Sequence, residues 1–149
     1  MSPPQIHHAT RADLDDVAPL FDAYRVWYGA DSDQAGARHF LDQRMRNDES
    51  VIFLARVDGE PAAFTQLYPL FSSVRMARIW LLNDLFVAAP FRRQGLGTDL
   101  LNTACQFGLE SDALRLELAT GVDNVAAQAV YENNGWKRND EFFCYSRTL

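Results

Sequence analysis

The stretch Leu81-Leu82-Asn83-Asp84-Leu85-Phe86-Val87, followed by Arg92-Arg93-Gln94-Gly95-Leu96-Gly97-Thr98, decides the fold of this chain. Its first part is an apolar run of strand length, and its second part leads into residues 100–109, which have the apolar spacing of a helix. The first turn of a helix has backbone N–H groups without intrahelical partners, and the helix dipole adds positive charge there. A strand, a glycine loop and a helix in this order therefore predict a phosphate-binding site.

The glycines and arginines of this loop favour an anion as its ligand. At Gly95 and Gly97 the backbone can adopt unusual dihedral angles and approach a phosphate closely, which a Cβ atom would obstruct. Arg92 and Arg93 can add charge-assisted hydrogen bonds to phosphate oxygens. The loop is not a P-loop, which requires Gly-x-x-x-x-Gly-Lys-Ser/Thr. It is not a dinucleotide fingerprint either, because Asp99-Leu100 follows instead of a third glycine.

The composition is typical of one globular domain, which we expect to span residues 1–149. A formal net charge of −6 argues against nucleic acid or an anionic membrane as the main partner. The N-terminus lacks a basic region followed by an apolar one, and no apolar run reaches the roughly 18 residues of a membrane span. We therefore expect a cytoplasmic protein. We expect no bound metal, because the histidines show no ligand spacing.

A second motif lies at Asp123-Asn124 and Val130-Tyr131-Glu132-Asn133-Asn134-Gly135-Trp136. Its first Asn opens a predicted helix, its Tyr lies near the end of that helix, and its Gly ends it. Together with Arg92-x-x-Gly95-x-Gly97, it resembles the two motifs of the GCN5-related N-acetyltransferase (GNAT) superfamily. The two motifs span roughly residues 79–136, and the first half of the chain matches the family only in its coarse pattern.

Hydrophobic periodicity and turn signals predict the element order β-α-α-β-β-β-α-β-α-β-β. This pattern alone indicates an α/β fold with a mixed sheet, and the resemblance identifies it as the GNAT fold, whose central sheet is splayed. We expect Pro19 to kink or break the first helix, Asp58-Gly59 to form a hairpin turn, and the strands flanking the phosphate helix to be parallel. The predicted strands are 6–9, 51–55, 61–68, 74–87, 114–118 and 142–146, with Trp136 also closing the sheet; the predicted helices are 13–28, 34–47, 97–111 and 124–133; residues 69–73 are predicted to form a loop.

The resemblance implies that acetyl-CoA is the acetyl donor. In the family the pantetheine arm pairs with the first strand of the splayed pair, so a bulge there is expected to point an N–H at the thioester oxygen. The resemblance also implies that Tyr131 is the general acid for the departing thiolate; the alternative is that it is a core aromatic. The residues expected to bind the cofactor are Leu85, Phe86, Val87, Arg92, Arg93, Gln94, Gly95, Leu96, Gly97, Thr98 and Asn124.

Asn83 and Asp84 are polar residues within an apolar strand, where burial without partners would cost about 1–3 kcal/mol or more. Leu-Asn-Asp-Leu-Phe-Val resembles Leu-Glu-Asp-Phe-Phe-Val of the polyamine and thialysine acetyltransferase branch, in which the Glu is a candidate base. Asn83 departs from that pattern because an amide cannot accept a proton. The base is then Asp84, a water chain or a residue such as Glu117. We hypothesise that Asp84 binds or deprotonates the substrate ammonium; the alternative is a structural cap or pair.

Four aromatic residues are candidates for the acceptor pocket. In the GNAT fold this pocket is lined by the first helices, their connecting loop and the loop before the long strand. Aromatic faces there could hold an ammonium group by cation–π contact, although such residues more often belong to the core. The candidates are Tyr24, Tyr28, Tyr68 and Phe71.

These observations predict an acetyl-CoA-dependent N-acetyltransferase that acts on a primary amine of a small molecule, by direct attack in a ternary complex. Its candidate catalytic residues are Tyr131, Asp84 and Asn83. The alternatives are a protein lysine or N-terminal acetyltransferase and a non-catalytic acyl-CoA-binding regulatory module. A homodimer is common in the family, and the sequence does not itself demonstrate one.

Overall fold

The computed structural model describes residues 2–149, which divide into two compact units, one extending to Leu118 and the other from Ala119 to Leu149. The first unit contains all the strands assigned among these residues and three of the helices. Its elements are β1 (Gln5–His8), α1 (Leu14–Trp27), α2 (Gln34–Arg46), β2 (Val51–Val57), β3 (Glu60–Ser72), β4 (Ala77–Val87), α3 (Leu96–Glu110) and β5 (Leu116–Glu117). The second unit contains α4 (Val125–Asn133).

The five strands form one mixed sheet in the order β1-β2-β3-β4-β5. The first four strands are antiparallel, as predicted for the central meander. The β2–β3 turn has positive φ at both Asp58 (50°) and Gly59 (81°), which is the backbone of a type I′ hairpin. The strand β5 pairs in parallel with β4, so the predicted crossover through α3 is confirmed.

The predicted loop at residues 69–73 is wrong, because β3 continues to Ser72 and pairs with Ala77. The loop was predicted because proline usually interrupts a strand. However, β2 stops pairing with β3 at Leu67, so β3 has only β4 as a neighbour at Pro69. Proline is tolerated at such edge positions, where no ladder hydrogen bond needs its missing N–H. Pro19 likewise does not break α1, which is continuous from Leu14 to Trp27.

The strands predicted at Trp136 and at residues 142–146 are not formed, and residues 134–149 contain no strand. The aromatic residues in this segment are not buried against a core, since Phe142, Phe143 and Tyr145 are 73%, 90% and 93% exposed. A strand also requires a neighbour with which to share hydrogen bonds, and local pattern does not supply one. β5 is shorter than predicted for the same reason, with only Leu116 and Glu117 paired to β4.

The sheet separates two packed layers. On one face α1 and α2 cover a core that includes Val17, Leu41 and Phe64, all fully buried. On the other face α3 contributes Leu100 and Leu101, also fully buried. Alternation along the strands supplies both layers, as expected for a sheet covered on both sides. No helix among residues 2–149 combines the length and apolar character that crossing a bilayer requires.

Candidate active site

The centre of the candidate site is a β-bulge in β4. Gln66 of β3 lies opposite Asp84, but Leu67 lies opposite Leu82, so Asn83 is an extra residue in β4. The expected bulge is therefore present in this strand, before Leu85 rather than among residues 85–87. It changes the face to which alternate side chains point. Asp84 consequently lies on the same face as α1, whereas Leu82 lies on the face of α3.

The carboxyl group of Asp84 is held by donors from both sides. The Gln66 amide donates from Nε2 to Asp84 Oδ2 over 2.7 Å, and Asn83 donates from Nδ2 to Oδ1 over 3.1 Å. The hydroxyl of Tyr24 lies near this carboxylate and donates to the backbone carbonyl oxygen of Asn83 over 3.5 Å. The backbone is fixed as well, because Thr65 Oγ1 donates to the carbonyl oxygen of Asp84 over 2.8 Å. The side chain therefore has a defined orientation at the base of the α1 face.

This carboxyl group is buried without a compensating cation. Asp84 is only 4% exposed, and burial raises its pKa, against the opposing effects of the Gln66, Tyr24 and Asn83 side chains. No Lys, Arg or His forms an ion pair with it among residues 2–149. A carboxylate in this environment favours a cationic ligand, because pairing would offset the cost of burying its charge.

Three of the four predicted pocket aromatics lie on the same side as Asp84. Tyr24 contacts Phe86 with ring centroids 6.1 Å apart and Tyr28 with centroids 4.9 Å apart. Burial and the nearby charge of Asp84 raise the pKa of Tyr68 to about 12, and the same two effects raise that of Tyr24 further. Both phenols are therefore protonated at neutral pH, and Tyr28 is 66% exposed at the outer edge of this group.

Phe71 is not brought together with the other three aromatics. Its ring lies 4.5 Å from the guanidinium of Arg78, which also lies 5.0 Å from the ring of Trp80. Trp80 in turn packs against Phe107 of α3, with ring centroids 5.0 Å apart. Phe71 therefore belongs to the α3 face of the sheet, on the opposite side from Asp84 and the three tyrosines.

The loop between α1 and α2 is anchored by a buried aspartate. Asp22 accepts from Ser32 Oγ over 2.6 Å and from the backbone N–H of Asp33 over 2.8 Å. These two hydrogen bonds lower the pKa of Asp22, helped by Arg25, so the carboxylate stays charged. The anchored loop begins next to Tyr28. Asp22 thereby fixes the end of α1 that contributes the tyrosines to the site.

The glycine loop has the features that a phosphate requires. Gly95 precedes α3 with φ of +81°, and no side chain caps the helix there. A Cβ atom added at Gly97 would meet nothing within 4 Å, so the chain itself does not require glycine at that position. Open space beside the first N–H groups of a 15-residue helix fits an incoming pyrophosphate. Gln94 is exposed and Thr98 half-buried, whereas the Leu96 side chain is buried, leaving only its backbone for a ligand.

The two arginines of the loop differ in their environments. Arg92 donates from Nε to the carbonyl oxygen of Val87 over 2.9 Å, and its guanidinium lies 5.7 Å from the ring of Phe86. It therefore ties the loop to the end of β4. Arg93 is exposed and has φ of +65°, an uncommon conformation for a residue with a side chain. Of the two, Arg93 has the side chain that is more available to an anion.

The two parallel strands pair over a short distance only. β4 pairs with β5 at Trp80 and Leu81, and no later pairing between these strands occurs among residues 2–149. The backbone from Leu85 to Val87 therefore has β3 on one side and no strand partner on the other. Glu117, the alternative base, lies on β5 and pairs with Arg115 over 2.7 Å.

In the second unit, Asn124 has a structural role. Its Oδ1 accepts from the backbone N–H of Ala127 over 3.2 Å, which caps α4 as predicted. Tyr131 lies in the last turn of α4, with its ring centroid 6.3 Å from that of Trp136. Gly135 has φ of +88° just beyond the helix, which confirms the predicted C-terminal stop.

Sequence reasoning missed Gln66 and Thr65. Both are fully buried on β3, and both hydrogen-bond to Asp84. Their position in the sequence could have pointed to them, because they are polar residues that interrupt the apolar run from Ala62 to Leu67. Buried polar side chains need partners, and their cross-strand partner could not be identified without the register.

Comparison with known proteins assigns this chain to a family. The model of the acetyltransferase (GNAT) family matches residues 17–136. The chain is 44% identical over 140 residues to the uncharacterized N-acetyltransferase YhfO of Bacillus subtilis, covering 94% of each protein. It is 31% identical over 138 residues to a probable acetyltransferase of Haemophilus influenzae, covering 91% of each.

Solved structures give the same assignment. A crystal structure of a probable acetyltransferase superposes with a TM-score of 0.92 at 44% identity, covering 97% of each chain. The aminoglycoside N-acetyltransferase AAC(6′)-Iy in complex with CoA shares the fold, with a TM-score of 0.80 at 18% identity, over all of this chain and 97% of that one. The mixed five-stranded sheet, the glycine loop before α3 and these relatives together show that the chain belongs to the acetyltransferase (GNAT) family and is an acetyltransferase.

Proposed function

We propose that this protein transfers an acetyl group from acetyl-CoA to the primary amine of a small molecule, by direct attack of the amine in a ternary complex. The observation that carries the proposal is the buried Asp84 carboxylate, which has no cationic partner among residues 2–149 and lies beside the tyrosines of α1 and β3. A protonated amine has the charge that this group lacks. The phenol faces can add cation–π attraction.

The position of Asp84 along β4 supports this proposal. It immediately precedes Leu85, Phe86 and Val87, whose backbone has no strand partner on the β5 side. If the pantetheine arm pairs there, as the family resemblance implies, the acceptor amine and the thioester meet at the same point of the sheet. Holding two reactants side by side is itself a large part of the rate enhancement for such a transfer.

Each group of the site then has a role. Acetyl-CoA, when bound, supplies the acetyl thioester. Asp84 binds the substrate ammonium and accepts its proton, which frees the nitrogen lone pair for attack on the acetyl carbon. Asn83 helps to orient the Asp84 carboxylate through its amide. The role of general acid towards the departing sulfur is proposed for Tyr131 from the family resemblance alone.

A panel of amines tests this function. Purified protein with acetyl-CoA is assayed for CoA release against diamines, amino sugars and amino acid amines, with peptides as the comparison set. We expect turnover with at least one small amine and intersecting initial-rate lines, as a ternary complex requires. We expect Asp84→Asn to lower kcat/KM for that amine at least 100-fold while acetyl-CoA affinity changes little. The absence of turnover with every amine would exclude this function. An Asp84→Asn variant with unchanged kinetics would exclude Asp84 as the group that binds and deprotonates the amine.

An N-terminal acetyltransferase is the second candidate function. It is favoured by similarity to human N-alpha-acetyltransferase 30, which is 32% identical over 108 residues covering 72% of this chain and 28% of that protein. In that case peptides with a free N-terminus, rather than small amines, would be turned over. A homodimer and a cytoplasmic location stay predictions of the sequence, to be tested by sedimentation and by cell fractionation.

A further inference from the structure

The side chain of Gln66 has an unusual environment for a buried amide. It is fully buried, its Nε2 lies 2.7 Å from Asp84 Oδ2, and its Oε1 has no hydrogen-bond partner among residues 2–149. An unpaired buried acceptor costs free energy. An apolar side chain of similar size would avoid that cost. The amide must therefore be explained by what its N–H contributes.

The orientation of this amide depends on the charge of Asp84. An ionised carboxylate only accepts hydrogen bonds, so Gln66 must present its nitrogen, and its oxygen is left without a partner. A protonated carboxyl group can donate instead, and the Gln66 oxygen could then accept from it. Half a turn about the last side-chain bond exchanges oxygen and nitrogen at almost no change in shape. Few side chains can hydrogen-bond a carboxyl group in both of its states.

We propose that Gln66 is the positioning residue for Asp84 and reverses its amide as Asp84 gains and loses a proton. With Asp84 ionised, Nε2 donates to Oδ2; after the proton moves from the substrate ammonium to Asp84, the carboxyl O–H donates to Oε1. The carboxyl group thus stays fixed before and after proton transfer. This inference rests on the proposed role of Asp84 as the base.

The other titratable or charged groups near Asp84 are phenols and a guanidinium. Tyr24 and Tyr28 of α1 and Tyr68 of β3 are phenols, and burial keeps the first and third protonated well into alkaline solution. Arg44 of α2, which acts on Tyr68, lies over the ring of Phe40 and pairs with Glu49. A titration sensed by Gln66 below the pH at which these phenols ionise therefore reports Asp84.

Nitrogen NMR of the Gln66 side chain tests the inference without any assay of activity. We expect its NH₂ resonances, assigned by their loss in Gln66→Met, to shift with pH through a single midpoint. In Asp84→Asn the shift should disappear. Resonances of Gln66 that do not move with pH, or that move equally in Asp84→Asn, would overturn the proposal.

Kinetics supply the second readout, with Thr65→Val as the matched control. Thr65 is the neighbouring residue, equally buried, and bonds only to the Asp84 backbone. We expect Gln66→Met to lower kcat about 10-fold. It should also move the acid limb of the kcat/KM profile to higher pH, because the charge-assisted bond lost from ionised Asp84 is stronger than the neutral bond lost from protonated Asp84. Thr65→Val should not move that limb.

An unmoved acid limb in Gln66→Met would refute the role of Gln66. If no amine is acetylated but the pH-dependent NMR shift is present, the proposed function is refuted, whereas the proposed response of the Gln66 amide to the charge of Asp84 is supported.

Discussion

Asp84 makes the stability of the protein depend on pH. Burial raises its pKa above the ordinary value of 3.8, so the folded state binds a proton more readily than the unfolded state. The associated stabilisation is fully present below pH 3.8 and is lost as pH rises through the folded pKa.

The variant Asp84→Asn removes this ionisation. We therefore expect the free energy of unfolding of wild type, relative to the variant, to fall as pH rises from 4 towards 8. Urea denaturation at several pH values measures the difference. Asp58→Asn is the control, because Asp58 is exposed in the β2–β3 turn and asparagine also tolerates its positive φ. A difference between Asp84→Asn and wild type that is independent of pH would contradict a raised pKa.

Gly95 and Gly97 should respond in opposite ways to alanine. Gly95 has φ of +81°, so Gly95→Ala should cost about 1–2 kcal/mol of stability through backbone strain. Gly97 has open space around its Cβ position, so Gly97→Ala should be neutral or stabilise by up to about 1 kcal/mol. If a pyrophosphate approaches there, the same variant should bind acetyl-CoA at least 10-fold more weakly.

Calorimetric titration with acetyl-CoA and urea denaturation separate these two effects. Gly97→Trp extends the series, since a larger side chain should abolish binding. Unchanged acetyl-CoA affinity in Gly97→Trp would place the pyrophosphate elsewhere. Weaker binding by Gly97→Ala together with lower stability would indicate a folding defect instead.

Backbone roles that depend on neighbouring residues were predicted correctly from the sequence. The orientation of side chains that depends on pairing between strands was not. Gly95, Gly135 and Asn124 have the predicted backbone roles because each depends on a few neighbouring residues. The orientation of Asp84 depends on the bulge at Asn83 and on Gln66, a residue 18 positions away. Register across strands is not encoded in any short stretch of sequence. Neither the position of the bulge nor the contact between Gln66 and Asp84 could therefore be predicted.

At the scale of elements, the helix α3 is attached to the sheet through one buried face. Leu101 is fully buried, so Leu101→Ala should destabilise the protein by about 2–5 kcal/mol. Leu109, on the same helix, is 72% exposed, and Leu109→Ala should change stability by less than about 0.5 kcal/mol. Thermal or urea denaturation measures both. Equal effects would mean that this face of α3 is not the one that packs.

The short helix α4 depends on its cap. It has nine residues, a length at which an isolated helix is only marginally stable. Asn124→Ala removes the side-chain bond to Ala127 N–H and should destabilise the helix by about 1 kcal/mol. Faster hydrogen exchange at residues 126–128 would show this loss. Asn124→Asp retains an acceptor and should restore protection; a failure to restore it would argue against capping.

Element prediction was wrong where a strand depends on its neighbours. Pro69 lies inside β3 because β2 has already ended beside it. Residues 142–146 have a strand-like pattern and yet form no strand, since no neighbouring strand pairs with them. Helices were placed to within a few residues because their hydrogen bonds are local.

At the scale of the whole molecule, burial is unevenly distributed. Among residues 2–149 every buried hydrophobic side chain lies between Ala9 and Ala104, and none lies in the unit from Ala119 to Leu149. Resistance to local opening follows buried apolar contact. We expect hydrogen exchange to be at least 100-fold faster in residues 119–149 than in β2, β3 and α3. Uniform protection along the chain, measured by mass spectrometry of peptic fragments, would contradict this expectation.

Because Asn83 is an extra residue in β4, the alternation of side chains between the two faces of the sheet changes at position 83. Even-numbered side chains before it, such as Trp80 and Leu82, point to α3, whereas even-numbered side chains after it, Asp84 and Phe86, point to α1. If Asn83 instead paired within the ladder and no bulge formed, Asp84 would lie on the same face as Leu82, opposite the tyrosines, with every residue type preserved. Deleting Asn83 would place Asp84 directly after Leu82, where it would still face α1, so that variant removes the bulge without changing the face on which Asp84 lies.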